Sequence, residues 1–209
     1  YIQRKVLVGE KGYKEETIHR KCDETAFHIL AYKGLQPIGT VSIHLSEATG
    51  HIPIEENFEI GPYLDGAPYA EIDRLAVTKE ERQGFTSFEI MVLSYLYVRG
   101  RGAKQIFIDT FADETGLIHM FKKLGFEIIG GYSNPLPCTV LMMNHASTYE
   151  QETIKNRLFI KKTLSRLVPK IDFSADEMSY VMKAIDEISA ISPGKDSVDT
   201  KEISSYNLL

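Results

Sequence analysis

The sequence predicts an α/β protein with a mixed central sheet flanked by helices. Strand and helix patterns alternate up to residue 148, and a strand-turn-helix-strand unit lies in the middle of that stretch. Beyond residue 148 the pattern becomes helical and then polar. We therefore expect one main domain over 1–148, a C-terminal helical extension over 149–192 packed on it, and a loose tail over 193–209.

The elements before the central unit have clear boundaries. Residues 2–9 predict one or two helical turns. Residues 26–34 and 38–45 are rich in β-forming types. Gly34 and the short spacing between the two ranges predict a hairpin. Residues 46–68 are polar and contain prolines and glycines, so we expect a long loop.

The central unit has the strongest pattern. AEIDRLAV, residues 70–77, predicts a strand, and the polar residues 78–87 predict a turn. The helix that follows has one predicted apolar face. That face consists of Phe88, Met91, Val92, Tyr95 and Leu96. QIFIDTF, residues 105–111, predicts a buried strand.

The remaining elements complete the sheet and add helices. Residues 113–124 predict a helix, and FEIIGGY and CTVLMMN predict two strands. One C-terminal helix should end near Pro169, and the capping box from Ser174 to Glu177 should open another. The inward residues of this last helix are expected to be Met178, Val181, Met182, Ile185 and Ile188.

Composition excludes several classes of protein. The chain has 209 residues, 43% hydrophobic and 25% charged, which suits one globular core. A net charge of −5 makes nucleic acid an unexpected partner, and no apolar run approaches the ~18 residues of a membrane span. Cys22 and Cys138 lie far apart without a Cys/His cluster. We therefore expect no metal site, no disulfide scaffold and a reducing cytoplasm.

The turn after residue 77 is a candidate anion site. The first amides of a helix and the positive end of its dipole attract phosphate, and Arg82 adds a fixed charge. Neither GxxxxGK[ST] nor GxGxxG is present, which argues against ATP, GTP and NAD. On these local features alone, a plain connection with a surface arginine remains the alternative.

Two stretches resemble the GCN5-related N-acetyltransferase (GNAT) superfamily. The turn Glu81-Arg82-Gln83-Gly84-Phe85-Thr86 is similar to its phosphate turn, [RQ]-x-x-G-x-[GA], but departs from it at Glu81 and Thr86. FKKLGFEIIG is similar to the end of a later helix in that superfamily. The resemblance implies a GNAT fold.

Four further stretches, in order, resemble the long-chain N-acyl amino acid synthases, which are relatives of the acyl-homoserine-lactone (autoinducer) synthases. They are YIQRKVLVGEKGY, AFHILAYKGLQPIGTVSI after Asp23, GHIPIEENFEI, and AEIDRLAVTKEERQG. The resemblance covers about residues 1–145. It implies transfer of an acyl group from a phosphopantetheine thioester, on acyl-carrier protein or CoA, to the α-amine of an amino acid. The implied thioester is a co-substrate, and no permanently bound cofactor is implied.

The resemblance also implies where the donor binds. Pantetheine would lie along Leu75, Ala76 and Val77. The phosphate would lie on the amides of the turn and first helical residues, namely Arg82, Gln83, Gly84, Phe85, Thr86 and Ser87. A turn with one glycine and the acidic Glu81 suits the single phosphodiester of a carrier protein better than the full charge of CoA.

The acceptor amine must lose a proton, and Glu71 at the start of the central strand is the candidate general base. The resemblance implies that Arg74 acts with it, although an ideal strand without a bulge would put the two on opposite sides. Arg74 or Arg4 could bind the acceptor carboxylate. Asp23 and Phe111 are further candidate substrate contacts. A surface salt bridge is the alternative role for each charged residue.

Many GNAT enzymes carry a tyrosine on the later helix as the general acid for the leaving thiolate. The matching residue here is Phe121, which cannot donate a proton. Either the thiolate leaves without that help or another donor serves.

Two basic clusters are a candidate docking surface for an acidic acyl-carrier protein. The first lies within residues 155–170 and includes Lys155, Arg157, Lys161, Lys162 and Arg166. The second consists of Arg99, Arg101 and Lys104. Three other functions remain open, namely a CoA-dependent N-acetyltransferase of a small amine, an autoinducer synthase, and a non-catalytic sensor of acyl ligands.

Overall fold

The computed structural model describes residues 1–15, 18, 21–82, 84–133, 137–144 and 166–190. Six strands form one mixed sheet in the order β1-β2-β3-β4-β6-β5. They are β1 (Phe27–Lys33), β2 (Gln36–Leu45), β3 (Tyr69–Val77), β4 (Gln105–Phe111), β5 (Glu127–Tyr132) and β6 (Cys138–Asn144). Strands β3 and β4 are parallel, and the other neighbouring strands are antiparallel. This confirms the predicted mixed sheet and its central parallel unit.

Helices flank the sheet, as predicted. They are an N-terminal π-helix (Arg4–Glu10), the single turn α1 (Ser46–Thr49), α2 (Thr86–Gly100), α3 (Thr115–Lys123) and α4 (Ala175–Ala190). The predicted long loop over 46–68 is more ordered than expected, because it holds α1 and two 3-10 turns, Pro53–Glu56 and Gly61–Tyr63. Within the described ranges, no helix combines the length and apolar character needed to cross a membrane.

Helices α2 and α4 cover one face of the sheet. Side chains of α2 and of the sheet, such as Leu96, Ile72 and Ile106, share one buried cluster with Val181 of α4. The prediction of a single apolar face on α2 was wrong, because every residue from Ile90 to Val98 is buried. The helix lies between the sheet and α4, so both of its sides are covered.

Helix α4 begins as the sequence predicts. The Ser174 amide donates to Glu177 Oε2 at 2.7 Å, and the Glu177 amide donates to Ser174 Oγ at 3.3 Å, which forms the reciprocal capping box. Val181 and Ile188 are buried as expected. Met182 is 41% exposed, contrary to the prediction, because it lies one residue beyond the buried stripe of Val181, Ala184 and Ile188.

Before α4, Val168–Lys170 forms a 3-10 turn at the predicted helix end near Pro169. Residues 145–165 and 191–209 lie outside the described part of the chain. The division at residue 148 and the loose tail therefore remain predictions.

The opposite face of the sheet is covered by two chain segments with a polar region between them. Ile52 and Ile54, from the segment before β3, pack with Phe107 of β4. Ile2 and Val6 of the N-terminal segment pack on Ala76 of β3. This arrangement leaves the middle of β2 and β3 lined with polar side chains on this face, and the candidate site lies there.

Candidate active site

A gap opens between the two central strands. The β3–β4 ladder consists of Tyr69–Glu71 paired with Gln105–Phe107. Strand β3 continues to Val77 and β4 to Phe111, beyond the last ladder pair. The second halves of the two strands therefore line an opening in the sheet, which begins beside Glu71.

A β-bulge shapes the β3 side of this gap. Thr40 pairs with Ala76 and Ser42 pairs with Asp73, so two residues of β3, Arg74 and Leu75, oppose one residue of β2. Arg74 has a φ of +53°, and no other non-glycine residue in the described ranges has a positive φ. The bulge brings the Arg74 guanidinium against Asp73, on the same face as Glu71. The two predicted residues therefore share one face despite their spacing.

Three carboxylates meet at the start of the gap. Glu71 is 1% exposed and occupies the last position of β3 that pairs with β4. Asp73 lies two residues further along β3, and Asp109 lies two residues beyond Phe107, the partner of Glu71, on β4. One carboxylate oxygen from each residue lies within 4.8 Å of the others. The Ile54 amide donates to Glu71 Oε2 at 2.7 Å and fixes the orientation of that carboxylate. A fixed carboxylate at this point can accept a proton from a group in the gap.

The Arg74 guanidinium is held by two aspartates. Its Nε donates to Asp73 Oδ2 at 3.0 Å, its Nη1 donates to Asp23 Oδ2 at 2.9 Å, and its Nη2 also donates to Asp23. Burial alone would lower the pKa of Arg74, but the hydrogen bond with Asp23 and the charges of Asp73 and Asp23 raise it. An acceptor carboxylate that used Arg74 would have to replace Asp23.

Two further side chains extend the carboxylate cluster, and the sequence did not single out either. His44 is buried on β2, with Nε2 at 3.8 Å from Asp73 Oδ2. The Tyr132 hydroxyl donates to Asp109 Oδ2 from β5. Burial and the neighbouring Asp109 raise the pKa of Tyr132, so it stays protonated.

The alternation of side chains along a strand could have indicated two further carboxylates of the site, Asp73 and Asp109, which the sequence analysis missed. It places Asp73 on the side of Glu71 and Asp109 on the side of Phe107. Asp73 and Asp109 lie on different strands, and no local pattern shows that the fold brings them together beside Glu71.

The predicted phosphate turn is compact and internally paired. Arg82 Nε donates to the Val77 carbonyl at 2.9 Å, and Arg82 Nη2 donates to the Glu10 carboxylate. The acidic departure from the GNAT motif, Glu81, forms an ion pair with Lys33 Nζ at 2.7 Å. Both charges nearest the turn are therefore compensated within the protein.

The start of α2 supplies backbone donors beside this turn. The Glu89 amide makes the first intrahelical bond, to the Phe85 carbonyl at 2.8 Å, and the amides of Thr86 and Ser87 precede it. Gly84 brings the chain close to itself, since a Cβ there would lie 3.4 Å from the Glu81 carbonyl. Gln83 lies outside the described residues. The described part of the turn can thus present amides and one guanidinium to an anion.

The other predicted residues occupy separate positions around the gap. Leu75 is partly buried on β3, and Ala76 and Val77 are buried. Phe111 ends β4, and its ring centroid lies 5.0 Å from that of Tyr13. Arg4 is two-thirds exposed on the N-terminal helix and pairs with Glu15 at 2.9 Å.

Three of the predicted site residues therefore form one cluster. Glu71, Arg74 and Asp23 are linked to one another through Asp73 and its neighbours, whereas Arg4 and Phe111 have other partners. Neither Cys22 nor Cys138 forms a disulfide bond.

One known protein family matches more than half of the chain. Residues 1–141 match the family model described as the N-acyl amino acid synthase FeeM. The chain belongs to the FeeM family. No curated protein sequence gives a significant match. Family membership makes the protein an N-acyltransferase, and it confirms the resemblance that the sequence motifs predicted.

Solved structures show the same fold at low identity. FeeM, an N-acyl amino acid synthase from uncultured soil microbes, is 18% identical with a TM-score of 0.58, covering 75% of this chain and 88% of its own. A protein of Lactobacillus plantarum described as an N-acetyltransferase is 13% identical with a TM-score of 0.52, covering 68% and 86%. ElaA of Escherichia coli is 16% identical with a TM-score of 0.50, covering 68% and 84%. These similarities confirm the predicted GNAT fold.

Proposed function

We propose that this FeeM-family enzyme transfers a long-chain acyl group from the phosphopantetheine thioester of an acyl-carrier protein to the α-amine of an amino acid. The observation that supports it most is the position of Glu71, a buried and oriented carboxylate at the point where β3 and β4 separate. We place the reaction in the cytoplasm, where reduced thiols and carrier proteins are available.

The donor lies in the gap with its phosphate at the turn. Its pantetheine follows Leu75, Ala76 and Val77, and its phosphodiester accepts hydrogen bonds from the first amides of α2 and from Arg82. Three features support this placement, namely the separation of the second half of β3 from β4, the bulge at Arg74, and the helix N-terminus at the end of the same strand.

The chemistry is a direct aminolysis of the thioester. Glu71 accepts the proton that the ammonium form of the acceptor loses and passes it to solvent, and the neutral amine nitrogen forms a bond to the thioester carbonyl carbon. The nitrogen then loses its second proton to Glu71, and the carbon–sulfur bond breaks, which leaves an amide and a thiolate. The released thiolate is stable enough to leave without a tyrosine at position 121, because a free alkyl thiol of the cysteine type has a pKa of about 8.5. Solvent then protonates the thiolate, and Glu71 releases its proton to solvent.

The acceptor binds on the polar face beside Glu71. Asp73 and Asp109 favour its ammonium group before the proton is removed, because they place negative charge within reach of the same point. The acceptor carboxylate is bound by Arg4, which is exposed, or by Arg74 after exchange with Asp23. The buried His44 and the partly buried Tyr132 orient the two aspartates.

The carrier protein docks next to the phosphate turn. Arg166 supports this placement, because it is 54% exposed and its guanidinium lies 5.7 Å from the ring of Phe85, which precedes α2. Arg166 also pairs with Glu89 at 3.9 Å. Arg99 and Arg101 contribute less than the sequence suggests, since they pair with Glu187 and Glu47 and their side chains are only 14% and 29% exposed. The basic residues Lys155, Arg157, Lys161 and Lys162 lie outside the described residues.

Product analysis tests the proposal. The purified protein is incubated with the twenty amino acids and, separately, with palmitoyl-carrier protein, palmitoyl-CoA and acetyl-CoA, and the products are identified by mass spectrometry. We expect a palmitoylated amino acid, formed faster from the carrier protein. An acetylated amine formed only from acetyl-CoA would contradict the proposal, and so would the absence of product with every donor.

A further inference from the structure

A short N-terminal segment, residues 10–13, crosses the mouth of the donor gap. On the β3 side of the gap, the Glu10 carboxylate accepts a hydrogen bond from Arg82, just after β3. On the β4 side, Lys11 Nζ lies 2.5 Å from Glu114 Oε1, just after β4. Because β3 and β4 separate before these points, the segment bridges the two sides of the gap where a phosphopantetheine arm would enter.

Glu10 compensates the charge of the turn before any donor binds. The side chains of Glu10 and Arg82 are 20% and 36% exposed, so solvent only partly screens their attraction. The bond from Arg82 Nε to the Val77 carbonyl holds the guanidinium at the end of β3. Glu81 is likewise paired with Lys33, so each of these two ion pairs has no net charge.

We propose that Glu10 determines donor selectivity by occupying Arg82, so that the turn accepts a singly charged phosphodiester but disfavours CoA. A carrier-protein arm brings one phosphodiester charge, whereas CoA brings a pyrophosphate and a 3′-phosphomonoester to the same region. When Glu10 neutralises Arg82, the attraction of Arg82 for the ligand is lost, and this loss is larger for the more highly charged CoA. This inference rests on the proposed function, because it concerns the phosphate site of the same donor.

The substitution Glu10→Gln tests this role because it removes the charge of Glu10 with little change in shape. Glutamine can still accept a hydrogen bond from Arg82, and Lys11 with Glu114 and Tyr13 with Phe111 still hold the segment in place. We expect the ratio of kcat/KM for palmitoyl-CoA to kcat/KM for palmitoyl-carrier protein to rise about tenfold, as for loss of one nearby charge at a partly exposed site.

Two controls isolate the contact with Arg82. Glu80→Gln removes an exposed carboxylate from the same turn that faces Lys5 and Lys79, and it should leave the ratio unchanged. In an Arg82→Gln background, Glu10→Gln should also leave the ratio unchanged, since coupled residues are not additive. An equal rise with Glu80→Gln would overturn the inference, because net charge alone would then explain it.

A binding measurement separates this inference from the proposed function. Calorimetric titration with CoA itself requires no turnover, and we expect Glu10→Gln to bind CoA about tenfold more tightly than the wild type. Equal CoA affinity in the two proteins would overturn the role of Glu10. Tighter CoA binding by the variant, with no acylated product from either protein, would instead contradict the proposed function while leaving the role of Glu10 supported.

Discussion

Arg74 has a backbone conformation that suits glycine, and its ion pairs explain why an arginine occupies it. A non-glycine residue with positive φ costs of the order of 1–3 kcal/mol. The half-buried network with Asp23 and Asp73 offsets that cost, because both aspartates bind one planar guanidinium. The sequence indicated that Arg74 is functional, but a left-handed arginine is rare enough that no local pattern predicts the bulge.

The substitution Arg74→Lys tests this network. Lysine keeps the charge but not the planar fork, so we expect the free energy of unfolding to fall by about 1–3 kcal/mol. Arg4→Lys is the matched control at an exposed pair with Glu15, and its effect should stay within about 0.5 kcal/mol. Urea denaturation measures both, and equal effects of the two substitutions would contradict the buried network.

The raised pKa of Tyr13 leads us to expect a lower free energy of unfolding at alkaline pH. Burial, followed by the charges of Glu114 and Asp113, raises the pKa of Tyr13 to about 12 from its ordinary 10. Between pH 10 and pH 12 the unfolded chain has released this proton and the folded chain has not, so unfolding becomes easier as the pH rises.

Removing this hydroxyl with Tyr13→Phe should therefore reduce the fall in stability between those pH values, measured by urea denaturation at each pH. Tyr32→Phe, at a tyrosine that is 57% exposed, is the control and should leave the pH dependence unchanged. A pH dependence unaffected by Tyr13→Phe would show that Tyr13 is not held in the fold as the structure places it.

Among the elements, the strands and the central unit follow from local sequence. Alternation and β-branched residues predict β3, and a continuous apolar run predicts β4. The full burial of α2 does not follow from its own pattern, because it depends on contact with α4. Helix α4 begins 75 residues after α2 ends at Gly100. Pairs such as Glu10 with Arg82 are separated by 72 residues, and no local rule connects them.

The contact between α2 and α4 can be tested at one glycine. A Cβ on Gly100 would lie 1.9 Å from the Tyr180 carbonyl oxygen of α4, and backbone cannot move aside as a flexible side chain can. We expect Gly100→Ala to lower the free energy of unfolding by about 1–3 kcal/mol, the usual cost of overpacking.

The helical glycine Gly116 provides the control for this test. A Cβ there meets nothing within 4 Å, so Gly116→Ala should be neutral or stabilising by up to about 1 kcal/mol. If Gly100→Ala behaved like Gly116→Ala in urea denaturation, α4 would not pack on α2 as described.

At the scale of the whole molecule, the distribution of surface charge should control how fast the enzyme associates with the carrier protein. The chain has a net charge of −5, so an acidic partner must approach a local basic surface, which we place around Arg166. We expect Arg166→Gln to lower kcat/KM for palmitoyl-carrier protein at low ionic strength, and the difference from wild type to shrink as salt is added.

The donor palmitoyl-pantetheine has no carrier protein and serves as the control for this prediction. Its kcat/KM should be the same for Arg166→Gln and the wild type. A matching loss with both donors would place Arg166 in the chemistry or the fold rather than in docking.

The measurement that tests the central claim most directly is the single-turnover rate of amine acylation by Glu71→Gln at saturating donor. Glutamine keeps an oxygen that can accept the Ile54 hydrogen bond, so the site retains its shape. Glu56→Gln, at an exposed carboxylate in the same region, is the matched control. We predict a rate about 10²–10⁴ times lower for Glu71→Gln and an unchanged rate for Glu56→Gln. A wild-type rate in folded Glu71→Gln would contradict the assignment of Glu71 as the group that takes the proton from the amine.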